Sequence, residues 1–290
     1  MRRKRVASPD IIIRITITTT AMTSDRPIES TVDHVKLTDL HCHLLPGLDD
    51  GAQDAAASIE LLKLEYDSGI RQIALTSHFD CEAMAVPDFL KLRQESYLQM
   101  KQAMDGSNYA WNDLRLKLGA EVRFSPNLCD IKPEKLCIQD TPFMLLELPT
   151  EFMPSYFIET IYRLQARGIT PIIAHVERYS YVMKDLPILC DWVDQGIYIQ
   201  INARSILNNG SMANLCLNLL KWNLCHVVAS DAHSIYKRPP NLNAGLNAVS
   251  NRLGQSTANQ LLQNADFIFN GEDLIAKEMH YPRKILGRWW

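Results

Sequence analysis

The chain has 290 residues, 47% of them hydrophobic and 22% charged, with a formal net charge of −3. It is long enough to bury a full core, and α/β barrels of this size commonly form one domain. The charge balance supplies no field that would gather nucleic acid or an anionic membrane, and no stretch approaches the roughly 18 apolar residues of a membrane span.

In chain order, the first 35 residues differ from the rest. Met1-Arg2-Arg3-Lys4-Arg5 followed by Ile11-Ile12-Ile13 has the outline of a secretory leader, but Arg14 and a run of threonines break the apolar stretch that a leader needs. A disordered extension, or a true start at Met22, is the expectation for residues 1–35. From residue 36 the pattern alternates. Strand-like segments run over Val35 to Cys42, Gln72 to Ser77, Leu114 to Val122, Phe143 to Leu148, Thr170 to Ala174, Ile197 to Asn202 and His226 to Ser230. Helical patterns lie between them at Ala55 to Ser68, Pro87 to Met104, Tyr156 to Ala166 and Leu186 to Asp194, with Gly69, Gly168 and Gly196 just past helix ends. Seven βα units imply a parallel sheet and, for residues 36–290, one domain: a (β/α) barrel like the TIM fold, one unit short. After the rigid Arg238-Pro239-Pro240, a single helix is expected over Ala244 to Leu262.

The polar residues gather at the C-terminal ends of these strands. On a strand, side chains two apart face the same way, so His41 and His43 present two imidazoles to one side while Cys42 faces the other. His78 follows the second strand, Glu121 the third, His175 the fifth, and Asp231 with His233 the seventh. In α/β barrels these ends share one face, where ligands bind. Imidazole and carboxylate donors without thiolate suit Mn, Fe or Zn. The donors outnumber the needs of one ion, so two or three metals are expected, an arrangement suited to phosphoester hydrolysis.

Taken together, Asp39-Leu40-His41-Cys42-His43 with Pro46-Gly47-Leu48-Asp49-Asp50-Gly51, Thr76-Ser77-His78, Gly119-Ala120-Glu121-Val122, His175-Val176-Glu177-Arg178-Tyr179 and Ser230-Asp231-Ala232-His233 with Arg238-Pro239-Pro240 resemble a known family. It is that of the manganese-dependent protein-tyrosine phosphatases of capsule and exopolysaccharide clusters, the CpsB/CapC type of the PHP superfamily. The resemblance covers roughly residues 36 to 285. It implies a distorted seven-stranded barrel with three metal ions: His41, His43, Glu121 and Asp231 on one, Glu121 and His175 on a second, and Asp50, or Asp49 if the loop register differs by one, with His78 and His233 on a third. It further implies Mn²⁺ as cofactor, a phosphotyrosine protein as substrate, in this family a bacterial tyrosine autokinase, and homo-oligomers as an open possibility.

Arg178 and Arg238 follow His175 and His233 closely enough to stand at the same mouth, where a guanidinium fork suits phosphate oxygens; in the family these positions bind substrate phosphate. The seven cysteines form no C-x-x-C and none is followed by arginine at the sixth position, which disfavours a covalent thiol phosphatase and fits a reducing cytoplasm. Three rival readings are a histidinol-phosphate phosphatase, a PHP exonuclease needing a basic groove, and a non-catalytic metal-binding partner. The Glu-Arg-Tyr and Arg-Pro-Pro motifs, the charge balance and the complete ligand set argue against them in turn.

Overall fold

The computed structural model describes residues 36–208, 210–275, 277–285 and 288–289, so the expectations for residues 1–35 and for Trp290 lie outside the described residues. Among the described residues, nine parallel strand segments build the sheet: β1 Thr38–Cys42, β2 Gln72–Leu75, β3 His78–Phe79, β4 Arg115–Leu118, β5 Glu121–Arg123, β6 Phe143–Glu147, β7 Thr170–Ile173, β8 Tyr198–Asn202 and β9 Val227–Ala229. They hydrogen-bond in two runs, β1-β2-β4 and β3-β5-β6-β7-β8-β9. The strand expected over Leu114 to Val122 is thus broken at Gly119-Ala120, and the one expected over Gln72 to Ser77 ends at Leu75, with the separate β3 following at His78. At the break Gly119 passes close to Thr76, whose side chain a Cβ there would meet at 3.2 Å.

The sheet curls until its two ends meet: the Asp231 N–H donates to the His41 carbonyl and the His43 N–H to the Ala232 carbonyl, both at 2.8 Å. Buried Asp39 adds to this seam from its side chain, one carboxylate oxygen accepting the N–H groups of His41 at 3.2 Å and Ser230 at 3.1 Å. Both faces of the sheet are apolar, as parallel sheets covered on each side require. Leu40, Phe143, Leu145, Ile172, Val227 and Ala229 pack into one cluster, and Ile73, Leu75, Met144, Leu146, Ile173, Ile199 and Ile201 into the larger one.

The helices are α1 Ala55–Asp67, α2 Val86–Gly106, α3 Phe157–Gln165, α4 Ser180–Lys184, α5 Pro187–Asp194, α6 Ala203–Leu207, α7 Ser211–Lys221, α8 Leu242–Leu253 and α9 Gln255–Asn270. Asp54 caps α1 by accepting the Ala57 N–H at 2.9 Å. The single helix expected over Ala244 to Leu262 is two, because Gly254 adopts φ +96° between α8 and α9. α9 then runs against β1, β2 and β9, where Ile268 and Phe269 complete the smaller cluster. α4, α6 and α7 lie outside the helical stretches named from the sequence. Trp289 packs against the core. No described helix is long and apolar enough to cross a membrane.

Candidate metal centre

The β1 segment does what its spacing dictates. His41 and His43 are fully buried, with their Nε2 atoms 3.2 Å apart. Into the same point come Glu121 Oε2, 3.2 Å from each of those nitrogens, and Asp231 Oδ1, 3.5 Å from His41 and 3.7 Å from His43. The other ring nitrogens face acceptors: His41 Nδ1 lies 3.2 Å from Gln200 Oε1, and His43 Nδ1 lies 2.7 Å from Asp49 Oδ2. Those acceptors place the ring protons on Nδ1, so both Nε2 lone pairs are aimed at each other and at two carboxylates. Four electron-rich atoms converge without a donor among them, and a cation is what satisfies such a set.

Protonation is the alternative relief. Burial disfavours the His43 imidazolium, but the hydrogen bond to Asp49 and the neighbouring Glu121 carboxylate outweigh this and lift its pKa to about 10; His41 is raised by Glu121 and Asp231 in spite of burial. Conversely, burial would raise the carboxyls of Glu121 and Asp231, yet the neighbouring histidines, with Arg178 for Asp231, hold both below the usual carboxylate range. A bound metal would take the place of that proton.

The remaining expected donors surround this point. His175 Nε2 is 2.8 Å from Glu121 Oε1 and 3.5 Å from Glu147 Oε1. His78 Nδ1 is 3.1 Å from Glu121 Oε2, and its Nε2 is 3.3 Å from Asp50 Oδ1, which also lies 3.4 Å from His233 Nε2. Among the described residues, buried Glu121 Oε2 and His233 Nε2 have no hydrogen-bond partner, and three groups of donors are close enough to hold an ion: His41, His43 and Asp231; His78, Glu121 and Glu147; and His43, Asp50, His78 and His233. The first is buried. The third opens to solvent, since the side chains of His78 and Asp50 are 38% and 65% exposed.

Local backbone aims several of these groups. His175 and Asp231 both take left-handed conformations, φ 32° and 53°, where their strands end. The loop after β1 folds back through Ala52, whose N–H donates to the His43 carbonyl at 3.0 Å. Within it Asp49 and Asp50 separate: Asp49 is occupied by His43, by the Gly51 N–H and by the His78 N–H, both at 2.9 Å, whereas Asp50 faces His78 and His233. Of the two, Asp50 is the one grouped with His43, His78 and His233, while Asp49 accepts from the His43 ring.

Arg178 and Arg238 do reach the mouth, and both grip Asp231: Arg178 Nη2 lies 2.9 Å from Oδ2 and Arg238 Nη2 lies 2.7 Å from Oδ1. Cys42 faces away, its thiol 3.4 Å from the Ala74 carbonyl.

Sequence reasoning missed Glu147, although a carboxylate ending the apolar run Phe143-Met144-Leu145-Leu146 is the signal that identified Glu121. It also missed Gln200 and Asn202, two polar residues at spacing two in β8, a strand that brings no donor of its own. The Gln200 carboxamide oxygen, besides facing His41, accepts the His175 N–H at 2.8 Å, and its Nε2 donates to Asn202 Oδ1 at 2.8 Å; Asn202 Nδ2 in turn donates to Asp231 Oδ2 at 2.7 Å. Buried Glu177 anchors this chain, accepting from the Asn202 N–H at 3.0 Å and the Ser205 hydroxyl at 2.7 Å.

The arrangement matches known proteins. Tyrosine-protein phosphatase YwqE of Bacillus subtilis is 29% identical over 245 residues, 81% of this chain and 92% of the relative. CapC of Staphylococcus aureus is 31% identical over 207 residues, 70% and 79% of the two chains. A crystal structure from work on YwqE and on CpsB of Streptococcus pneumoniae, there described as unique metal-dependent tyrosine phosphatases, superposes with a TM-score of 0.76 at 27% identity, covering 84% of this chain and 98% of that one. The family model for capsular polysaccharide synthesis, CpsB/CapC, matches residues 37–270. With four-fifths of its length matched by that model and its strand-end donors gathered at one point, this chain belongs to the CpsB/CapC family.

Proposed function

We propose that this chain is a metal-dependent tyrosine-protein phosphatase that hydrolyses phosphotyrosine on a protein of capsular or exopolysaccharide synthesis. The observation that carries the reading is the donor-free convergence of His41, His43, Glu121 and Asp231, ringed by further imidazoles and carboxylates and flanked by two arginines. The donor set fits metal: all N and O, no thiolate, with orphaned atoms at Glu121 and His233. We read Mn²⁺ as the cofactor. His41, His43 and Asp231 with Glu121 would hold one ion, Glu121, Glu147 and His175 with His78 a second, and Asp50, His78 and His233 a third. Bound there, divalent ions would supply a water-derived nucleophile and neutralise charge on the phosphoryl oxygens.

The chain's own residues supply the rest. Arg178 and Arg238 keep N–H groups beyond those spent on Asp231, and a phosphate entering the open side would take them as bidentate partners. Asp231, held by both arginines and Asn202, fixes those guanidinium planes before substrate arrives. A tyrosine leaving group, with a phenol pKa near 10, needs little help from a general acid. Counting β2 with β3 and β4 with β5 as bent single strands gives seven, and the seam between β1 and β9 supports a distorted (β/α) barrel beginning near residue 36. A tyrosine autokinase is the substrate we infer, in the cytoplasm, with self-association to be read from the mass in solution.

Phosphate release from a tyrosine-phosphorylated peptide and from histidinol phosphate, by protein stripped with chelator and resupplied with Mn²⁺, tests the proposal. Peptide turnover restored by the ion and abolished in a His41→Ala, Asp231→Ala double variant is expected. Preference for histidinol phosphate, undiminished activity in the double variant, or silence on both substrates with metal bound would overturn it.

A further inference from the structure

Away from the metal centre, a cavity of about 770 Å³ opens between α2, β4 and the segment leading into β6. It exists because β4 is an edge: β5 pairs with β6, whereas β4 does not, and the gap is spanned by the Gln139 N–H, which donates to the Leu118 carbonyl at 2.8 Å. Arg93 of α2 lines this space and is only 9% exposed. Its Nη1 donates to the Gly119 carbonyl at 2.7 Å, its Nη2 reaches the Lys135 carbonyl at 3.5 Å, and its Nε has no partner among the described residues. Among the described residues it makes no ion pair, and burial alone pulls its pKa down to about 10, with no carboxylate opposing the shift. An unpaired buried charge is costly and unusual in a folded core. Two carboxylates stand at the rim, each with a cation of its own: Glu134 is held by Arg167 at 2.6 Å, and Asp140 faces Lys117. Lys135 adds a second positive charge, while Tyr97, Leu116 and Leu118 offer an apolar wall.

We propose that this cavity binds a small organic anion whose single carboxylate or phosphate group takes the Arg93 guanidinium while its neutral body lies against Tyr97, Leu116 and Leu118. The volume is many times that of a bare anion, and the apolar wall has no role for an inorganic ion. No metal enters this site, so it stands independently of the phosphatase reading.

Titration calorimetry on the Mn²⁺-loaded full chain with benzoate, phenylphosphonate and neutral benzamide tests it, the three sharing one body. At least one anion binds and benzamide does not; which anion binds more tightly tells carboxylate from phosphate. Arg93→Gln weakens that binding about tenfold or more, the usual scale for a charge-assisted hydrogen bond. Gln94→Glu, an exposed change at the same rim that leaves Arg93 in place, weakens it by repulsion and guards against a folding defect in the first variant. Arg178→Ala, Arg238→Ala protein retains it. Absence of binding by both anions, wild-type affinity in both the Arg93→Gln and the Gln94→Glu variants, or loss in the double arginine variant, which would put the anion at the metal centre, overturns the proposal.

Discussion

Replacing Gln200 by leucine removes one oxygen and leaves two buried donors, His41 Nδ1–H and the His175 N–H, without an acceptor. Each stranded donor costs about 1–3 kcal/mol. The cheapest relief is for His41 to move its proton to Nε2, the atom aimed at Glu121 and Asp231, which takes away a metal-binding lone pair. Loss of an outer partner of a ligating histidine typically weakens metal binding about 10–100-fold, or roughly 1.4–2.7 kcal/mol. We expect Gln200→Leu to fall in that range in competition titrations of Mn²⁺ against a chelator. Gln200→Glu, which keeps an oxygen for His41, is expected to recover most of the loss. Nitrogen chemical shifts of the imidazoles in metal-free protein read the tautomer directly. Wild-type affinity in Gln200→Leu, with His41 still protonated at Nδ1, would refute the reasoning.

Other outcomes follow from the same geometry. Glu147→Gln should lower the bound Mn²⁺ stoichiometry measured by elemental analysis while leaving the buried pair of histidines loaded, because Glu147 joins only the His78 and Glu121 group; unchanged stoichiometry would remove it from the donor set. Arg238→Ala should lower kcat/KM for a phosphotyrosine peptide by about 10²-fold or more, the scale for deleting one preorganised partner of a developing charge, and Arg238→Lys should restore only part, since a lysine cannot grip Asp231 and a phosphate as a fork. Gly51→Ala would put a Cβ 2.1 Å from the His43 carbonyl oxygen and 2.5 Å from its Cβ, so the loop carrying Asp49 and Asp50 must move; thermal unfolding should show about 1–3 kcal/mol lost, together with weakened metal binding.

The pH dependence has a defined sign at His226, away from the metal centre. Burial lowers its pKa from 6.5 to about 4, while its Nδ1 accepts the Ile199 N–H at 3.0 Å. Between those values the unfolded chain binds a proton that the folded chain refuses, so stability is complete above 6.5 and falls as the pH drops through 6.5 towards 4. With about 1.36 kcal/mol per unit the ceiling is roughly 3 kcal/mol, and the half-buried ring brings it to about 2. Denaturant titrations of wild type and His226→Leu at pH 7 and 4.5 should show the larger loss in wild type; equal losses would refute the assignment.

What the sequence determined by itself was chemistry at strand ends. A period of two on β1 forces His41 and His43 to one side, and the rule that parallel strands present their C-terminal ends together placed His78, Glu121, His175, Asp231 and His233 at a common mouth, because both follow from backbone geometry alone. Local signals also carried the glycine after α1, α3 and α5. The tertiary structure decided the rest. Asp49 and Asp50 are chemically identical neighbours, and only the fold of their loop gives one to His43 and the other to the open side. Gln200, Asn202 and Glu177 matter through partners 25 to 159 residues away, contacts that no local pattern encodes. The gap between β4 and β5, where Gly119 passes close to Thr76, leaves Arg93 beside a strand edge, buried and, among the described residues, without a counter-charge.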